Sequence, residues 1–348
     1  MESLMRLVHQ IGSSDLILSA HAPPHFRLEG ELRPLQGARL SERQVKDLVY
    51  SVLYEDQIKD LEAEKELDFS ITYKGLRFRG NAFWQRGSLA AALRPIPSRI
   101  PIPRELRIPE HVETLVDVPQ GLLLVTGATG QGKSTTLASL LDRINRLHSR
   151  HVITVEDPIE FLHPNRRSVI EQREVGQDTH SFAKALRRVL RQNPDVILIG
   201  ELRDRDSIQT AITAAETGHL VLSTLHTNDA GQAIDRIIDV FPDSQHRQIR
   251  LQLSQVLLAI LCQRLVPAIK GGRLLALEVL INTQAVSNQI REGKASMIYS
   301  TMEVSRQFGM QTMNQALEGL LEAELISAKE LMRYQNRQGS LGQGAHGA

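Results

Sequence analysis

At residues 127–135 the chain reads Gly127-Ala128-Thr129-Gly130-Gln131-Gly132-Lys133-Ser134-Thr135, and the first eight residues match the phosphate-binding pattern G-x-x-x-x-G-K-[ST]. An apolar run at 122–125 precedes the loop, and apolar residues recur at helical spacing after it, at positions 137, 140, 141 and 144. Glycines allow the backbone to turn its N–H groups toward a phosphate. This strand–loop–helix order predicts a nucleotide-binding α/β core.

The residues of this loop have distinct expected tasks. Backbone N–H groups from Gly127 to Thr135 are expected to bind phosphate oxygens, and the positive end of the following helix adds to their field. Lys133 is expected to reach the β- and γ-phosphates, and the Ser134 hydroxyl to hold Mg²⁺. The alternative, a glycine-rich turn that matches by coincidence, is disfavoured by the flanking strand and helix.

Length and charge limit the class of protein. A chain of 348 residues can form two or three domains, and its 41 Lys and Arg nearly balance its 40 Asp and Glu. A near-neutral charge argues against a dedicated nucleic-acid binder, so no nucleic-acid partner is expected.

Cysteine content and hydropathy bear on the compartment. The single cysteine, Cys262, excludes an internal disulfide or a multi-cysteine zinc site and fits a reducing cytoplasm. We expect it to be a core residue within an apolar helical run, 256–265. No apolar run approaches the length of a membrane span, so any membrane association is expected to be peripheral, through a partner.

Residues 1–94 are predicted to form a small α+β domain. Strands are expected at 15–20, 26–29, 31–35, 67–73, 76–83 and 88–93, with one helix capped by Ser41 and Gln44. Prolines 95, 97, 101, 103 and 109 then disfavour a regular helix or a central strand. Residues 95–110 are therefore predicted to be a fairly stiff interdomain linker.

Strand and helix patterns alternate across residues 111–280. Apolar strands expected at 122–126, 152–156, 196–200 and 220–225 predict a largely parallel sheet covered by helices. Residues 281–336 are predicted to form short helices, and residues 337–348, rich in glycine and glutamine, a disordered tail. The predicted fold class is α/β, with a smaller α+β domain before the core.

Two acidic stretches follow predicted strands of the core. Glu201 ends the strand 196–200, at the edge where parallel sheets bind ligands, and could orient an attacking water; Gly200 stands where many P-loop enzymes have Asp. The run 156–160 contains three carboxylates, which could shape a Mg²⁺–water network or take a proton. A plain strand-end acid and a solvated acidic loop are the alternatives.

Histidines and arginines provide further candidates. His219 and His226 flank the strand 220–225, and either could contact a γ-phosphate or be a structural histidine. Arg79, Arg86 and Arg94 lie on or near a predicted hairpin. Exposed strand arginines are usually solvated, but in a ring of ATPases such arginines can complete a nucleotide site.

Several long motifs, taken in order over nearly the whole chain, resemble the secretion traffic ATPases and, within them, the PilT-type motors that retract type IV pili. They are the P-loop at 127–134, the aspartate box Glu156-Asp157-Pro158-Ile159-Glu160, the Walker B stretch 193–204 and the histidine box 215–227. The resemblance implies a RecA-like P-loop NTPase core behind a PAS-like N-terminal domain. It also implies a cytoplasmic homohexamer that hydrolyses ATP with Mg²⁺.

The resemblance also assigns roles to single residues. It implies that Glu201 is the catalytic glutamate, Glu160 an aspartate-box carboxylate and His226 a γ-phosphate contact, with His219 a weaker candidate. Arg79, Arg86 and Arg94 become candidate arginine fingers. The implied partners are an inner-membrane pilus platform protein, which the motor would drive to dismantle pilin, and a second retraction ATPase.

The branch within this superfamily stays open. Extension and secretion relatives generally carry a tetracysteine zinc module, so the single cysteine favours retraction. The stretch 285–292 resembles the retraction signature A-I-R-N-L-I-R-E, but Ser287 replaces a positive charge and Gln289 an apolar residue. An accessory PilU-like ATPase, an extension or type II secretion ATPase, a nucleic-acid translocase and a nucleotide-gated scaffold that does not hydrolyse ATP remain the alternatives.

Overall fold

The computed structural model describes residues 1–28, 30–97 and 99–335. These divide into two compact units: 1–99 with 160–162, and 100–159 with the chain from 163 onward. Glu29, at the end of a predicted strand, and the predicted tail 337–348 lie outside the described residues.

Within its described residues, the first unit is a six-stranded antiparallel sheet with three helices. The sheet order is β3-β2-β1-β6-β5-β4. The strands are β1 (Asp15–Leu18), β2 (His25–Leu28), β3 (Glu31–Pro34), β4 (Glu66–Tyr73), β5 (Leu76–Gln85) and β6 (Ser88–Ile96). The helices are α1 (Glu2–Gln10), α2 (Glu42–Tyr50) and α3 (Glu55–Glu64). All three helices contribute apolar side chains to one buried cluster with the strands.

The predicted cap of α2 is confirmed. The Ser41 hydroxyl accepts the backbone N–H of Gln44 at 3.2 Å, and the Gln44 side chain accepts the backbone N–H of Ser41 at 2.8 Å. This reciprocal pair satisfies N–H groups that the first helical turn leaves without partners.

One boundary prediction is wrong. Pro95 and Ile96 extend β6 rather than belonging to an irregular segment, pairing with Phe78 and Arg77 of β5. On the other side of β6 the pairing with β1 ends at Leu93, so the missing N–H of Pro95 costs no ladder hydrogen bond.

The second unit is built around a seven-stranded sheet in the part of the chain that is described. Its order is β13-β12-β7-β11-β10-β8-β9, parallel except for the β12–β13 pair. The strands are β7 (Gly121–Thr126), β8 (His151–Glu156), β9 (Val169–Glu174), β10 (Val196–Ile199), β11 (Leu220–Leu225), β12 (Leu257–Pro267) and β13 (Arg273–Ile281). The helices are α4 (Glu110–Glu113), α5 (Lys133–Leu147), α6 (Phe182–Val189), α7 (Arg205–Glu216), α8 (Ala230–Asp239), α9 (Asp243–Val256), α10 (Gln284–Glu292), α11 (Ile298–Val304), α12 (Met313–Glu322) and α13 (Ala328–Tyr334).

Both faces of this sheet are buried. Alternate residues of β7, such as Leu122 and Leu123, belong to two different buried apolar clusters, and Ile197 and Leu198 of β10 divide in the same way. A strand covered on both faces forms a nearly continuous apolar run in the sequence. This is why the four predicted core strands are confirmed within a residue or so of their expected bounds.

The prediction of a helix around Cys262 is wrong. Cys262 is buried as expected, but it lies in β12, where it pairs with Thr126 of β7 and Glu278 of β13. Apart from Gln263 and Arg264 the run 256–265 is apolar, because β12 is an inner strand, and so short a run gives no periodicity that separates a strand from a buried helix. The helix α9 ends at Val256, and β12 begins at the next residue.

None of the helices in the described ranges combines the length and the apolar character needed to span a bilayer.

Asp117 anchors the segment that leads into β7. Its carboxylate accepts two N–H groups of Arg143, at 2.8 and 3.3 Å, and the ring N–H of His148 at 2.9 Å. Burial raises the pKa of Asp117, but these hydrogen bonds outweigh burial, and the pKa lies below its usual value. The cluster therefore ties the entry of β7 to the end of α5, which starts at the P-loop.

Asp117→Asn is expected to lower the free energy of unfolding by about 1 kcal/mol at pH 7, less than the roughly 1.5–3 kcal/mol usual for hydrogen bonds to charged groups, because water screens the cluster. Because the folded pKa is depressed, this contribution is complete above the unfolded value, about 3.9, and is lost as pH falls through the folded pKa. The urea unfolding midpoint of the variant should therefore differ from that of wild type at pH 7, and the two should begin to converge below about pH 4, as the pH approaches the depressed folded pKa. Asp243→Asn, at a fully exposed carboxylate, is the control; a wild-type midpoint for Asp117→Asn at pH 7 would contradict the assignment.

Candidate functional site

Four neighbouring parallel strands end at one edge of the second unit's sheet. They lie in the order β7, β11, β10, β8. The P-loop follows β7, His226 follows β11, Glu201 comes two residues after β10, and Asp157 follows β8. The topology thus brings together motifs that are distant in sequence, at the carboxyl edge where open α/β sheets bind their ligands.

The P-loop has the backbone that a phosphate cradle requires. Gly127, Gly130 and Gly132 have φ of 145°, 78° and 82°, a region that side chains rarely adopt. Lys133 begins α5 and is buried; its ammonium donates to the carbonyls of Gly127 and Ala128 at 2.8 and 3.1 Å. These contacts keep the charge inside the loop, where a phosphate could take their place.

Strand β12 contacts both the P-loop and α5. This contact was not expected from the sequence. The Gln263 amide donates to the Thr136 hydroxyl of α5 at 2.9 Å, and both side chains are buried. A Cβ at Gly127 would lie 2.7 Å from the Gln263 carbonyl oxygen. The Gln131 side chain accepts the backbone N–H of Leu265. The polar side chain at position 263, within a mostly apolar run, is the feature of the sequence that could have indicated this contact.

Glu201 and His226 are in contact. Glu201 Oε1 lies 3.2 Å from His226 Nε2, and Glu201 Oε2 accepts the Nε–H of Arg203 at 2.8 Å. The Glu201 side chain is 21% exposed, so it is partly shielded yet open to water. The hydrogen bond from Arg203, with its charge attraction, raises the pKa of the guanidinium. A half-buried carboxylate held by a histidine and an arginine can orient a water or accept its proton.

Arg203 was not among the site residues expected from the sequence. In extended chain, residues two apart point to the same side, which is the signal that could have paired Arg203 with Glu201. His219, by contrast, lies at the start of β11, where its ring nitrogen contacts the Ala214 carbonyl at 2.9 Å. A strand of six residues, about 20 Å long, separates it from the edge that holds His226.

Gly200, which follows β10, lies against the backbone of β8. Its N–H donates to the Val155 carbonyl at 2.8 Å, and a Cβ there would lie 3.3 Å from that oxygen. The Thr224 hydroxyl donates to the Gly200 carbonyl at 2.7 Å. A larger side chain at 200 would press on β8, so the acidic function at this strand end rests on Glu201.

The aspartate box follows β8. Glu156 accepts the Thr154 hydroxyl at 2.7 Å and the Gln172 amide at 3.2 Å. The backbone N–H of Ile159 donates to the buried Glu174 at 2.9 Å. Glu160 follows, exposed, and forms no hydrogen bond or ion pair within the described chain; residues 160–162 group with the first unit.

The candidate arginine fingers belong to the first unit, and all three are exposed. Arg79 and Arg94 face each other across β5 and β6, and Arg94 is paired with Asp15 at 2.9 Å. Arg86 lies in the turn at the far end of β5, with φ of 47°. The six residues 80–85 of β5 lie between Arg79 and Arg86 and separate them by roughly 20 Å. One phosphate group therefore cannot accept hydrogen bonds from both Arg79 and Arg86 of the same hairpin.

Known proteins are similar to this chain in sequence and in fold. Residues 107–339 match the family described as type II/IV secretion system protein. The chain is 46% identical to the type IV pilus retraction ATPase PilT of Pseudomonas aeruginosa, over 91% of this chain and 92% of that protein. It is 42% identical to the type IV pilus ATPase PilU of the same organism, over 96% and 88%.

A solved structure agrees with these relatives. The crystal structure of the pilus retraction motor PilT with bound ADP superposes with a TM-score of 0.91, at 47% identity, and covers 97% of each chain. The fold class expected from the sequence is thereby confirmed. The chain belongs to the type II/IV secretion system protein family and, within it, to the PilT-type ATPases.

Proposed function

We propose that this chain is a motor ATPase that couples ATP hydrolysis to the retraction of type IV pili, and so to twitching motility. The observation that carries the proposal is the contact between Glu201 and His226 at the sheet edge that also bears the P-loop. The similarity to PilT over more than nine-tenths of the chain supports it.

The residues at this edge fit a magnesium–nucleotide complex. The Ser134 hydroxyl makes no hydrogen bond to protein within the described ranges, which leaves it available as a ligand. Among those residues no cluster of three or more His, Cys, Asp or Glu could hold a metal ion. Mg²⁺ usually takes one or two protein ligands and completes its shell with phosphates and water, where it neutralises developing phosphate charge.

The same proposal covers the assembly. The subunits would form a homohexamer in the cytoplasm, held at the inner membrane only through a pilus platform protein, with no nucleic-acid partner. Because β6 runs to Ile96, the domain bounds proposed are 1–96, the linker 97–110, the core 111–280 and the C-terminal helices 281–336. Closure of the N-terminal domain over ATP would bring arginines to the phosphates, and hydrolysis would release them.

If Arg86 acts across a subunit interface, mixing Arg86→Ala subunits with Lys133→Ala subunits is expected to restore part of the lost ATPase activity. Some mixed sites would then combine an intact P-loop with an intact arginine. The measurement is phosphate release as a function of mixing ratio. Arg33→Ala, at an exposed arginine of the edge strand β3, should keep full activity alone. No recovery at any ratio would place Arg86 in the site of its own subunit.

Deletion in the native host tests the biological direction. Loss of a retraction motor should leave cells with excess surface pili and no twitching motility. Cells without pili would instead identify an extension ATPase, and loss of twitching with normal pilus numbers would contradict both roles.

A second candidate is an accessory PilU-like ATPase. Two internal contacts of α10 favour it. Ser287, at the position of an expected positive charge, donates to the Ser254 carbonyl at 2.7 Å, and Gln289 donates to the Thr301 hydroxyl at 2.7 Å. Both side chains therefore make hydrogen bonds within the protein, and neither position presents a cation. A strain that retains this gene but lacks any second retraction ATPase would separate the two roles: an autonomous motor still retracts pili.

Two other classes give different results in solution. A nucleic-acid translocase would be stimulated by DNA or RNA, with strongly salt-dependent binding. A nucleotide-gated scaffold would bind ATP without releasing phosphate. Steady phosphate release that nucleic acid does not change is the result expected of the proposed motor.

A further inference from the structure

A buried carboxylate on β13 joins the starts of two helices. Glu278 is 1% exposed. One of its oxygens accepts the backbone N–H of Ala230 at 3.0 Å, and the other accepts the backbone N–H of Met313 at 3.1 Å. Ala230 is the first residue of α8 and Met313 the first of α12. A single side chain therefore fixes the N-terminal ends of two helices, where a negative charge is most favourable.

The start of α8 is also the end of the loop that carries His226. Only Thr227, Asn228 and Asp229 separate His226 from Ala230. Asp229 caps α8 by accepting the N–H of Gln232 at 2.8 Å. Because the loop is so short, the position of α8 limits where the His226 ring can lie relative to Glu201.

The two backbone hydrogen bonds partly compensate for the burial of the Glu278 carboxylate. Burial has the larger effect and holds the pKa of Glu278 above its usual value, although the N–H groups of Ala230 and Met313 favour the charged form. An acid so deeply buried is costly unless its oxygens are paired, so loss of one N–H leaves an unsatisfied group rather than a neutral change.

We propose that Glu278 is a positioning residue for ATP hydrolysis: by anchoring α8 to β13 and to α12, it holds the His226 loop against Glu201. This inference rests on the proposed function. It also gives the C-terminal helices a direct mechanical link to the loop that borders the nucleotide.

Glu278→Gln in the full chain is the test. A glutamine oxygen can accept one N–H, but its NH₂ group must face the other. We expect kcat to fall about tenfold while ATP affinity stays within about twofold of wild type, because the P-loop is untouched. In combination with His226→Ala the loss should not multiply: the double variant should be as slow as His226→Ala alone.

Two further variants separate positioning from general destabilisation. Thr312→Ala removes the cap of α12, where the Thr312 hydroxyl accepts the N–H of Gln315 at 3.3 Å, and should keep wild-type kcat. Ala230→Pro removes the donor at the first position of α8, where the proline backbone is tolerated, and puts a ring carbon in place of the hydrogen that faces Glu278. It should reproduce the loss of kcat even if Glu278→Gln fails to fold.

A wild-type kcat in Ala230→Pro and Glu278→Gln, or losses that multiply with His226→Ala, would overturn the inference while leaving the motor assignment intact. Absence of phosphate release from the wild-type chain would overturn the proposed function, and this inference with it.

Discussion

Glu201→Gln is expected to reduce ATP turnover by about a thousandfold while nucleotide binding is retained. The substitution keeps the shape of the side chain but removes the charge that would orient a water and accept its proton, a contribution of roughly 10²–10⁴ in rate. The carboxylate is positioned for that task by His226 at 3.2 Å and Arg203 at 2.8 Å. The P-loop, which provides most of the binding, is unchanged.

Steady-state phosphate release measures the turnover, and titration with a fluorescent ATP analogue measures the binding. Glu171→Gln is the matched control: Glu171 is a carboxylate on β9 of the same sheet whose side chain is 62% exposed, and its loss should leave kcat unchanged. Wild-type turnover in purified Glu201→Gln would show that another group activates the water.

Lys133→Ala should remove turnover almost completely and weaken ATP binding by about ten- to a hundredfold. A charge-assisted hydrogen bond of this kind is worth about 1.5–3 kcal/mol, and each 1.4 kcal/mol is a factor of ten in affinity. The ammonium now contacts the carbonyls of Gly127 and Ala128, so its removal also leaves the loop without the cation that holds its bend.

Isothermal titration with Mg·ATP gives the affinity, and circular dichroism verifies the fold. Lys184→Ala, at an exposed lysine of α6, controls for the loss of one positive charge and should bind normally. ATP affinity equal to wild type in Lys133→Ala would mean that the nucleotide does not occupy this loop.

Much of the core could be predicted from sequence because its strands are covered on both faces. Strands such as β7 and β10 are apolar over most of their length and are followed by chemically distinctive residues, so their place in a parallel sheet follows from the sequence pattern. The mostly apolar sequence of 256–265 is also the reason why this part of β12 was predicted to be a helix. An inner strand and a buried helix of ten residues look alike in a single sequence.

The partners of the site residues could not be predicted in the same way. The contact of Glu201 with His226 depends on β10 and β11 being neighbours, a property of strand order rather than of either motif. Gln263 reaches Thr136 across 127 residues of chain. Glu278 binds the starts of α8 and α12, which no local pattern announces. The approach of Arg79, Arg86 and Arg94 to the phosphates remains a prediction.

Phosphate release by the purified wild-type chain, supplied with ATP and Mg²⁺, bears most directly on the proposed motor function. We expect sustained release that stops when magnesium is chelated, because the P-loop and Glu201 together form a hydrolytic site. A folded, nucleotide-binding protein that releases no phosphate beyond the Lys133→Ala background would contradict that function.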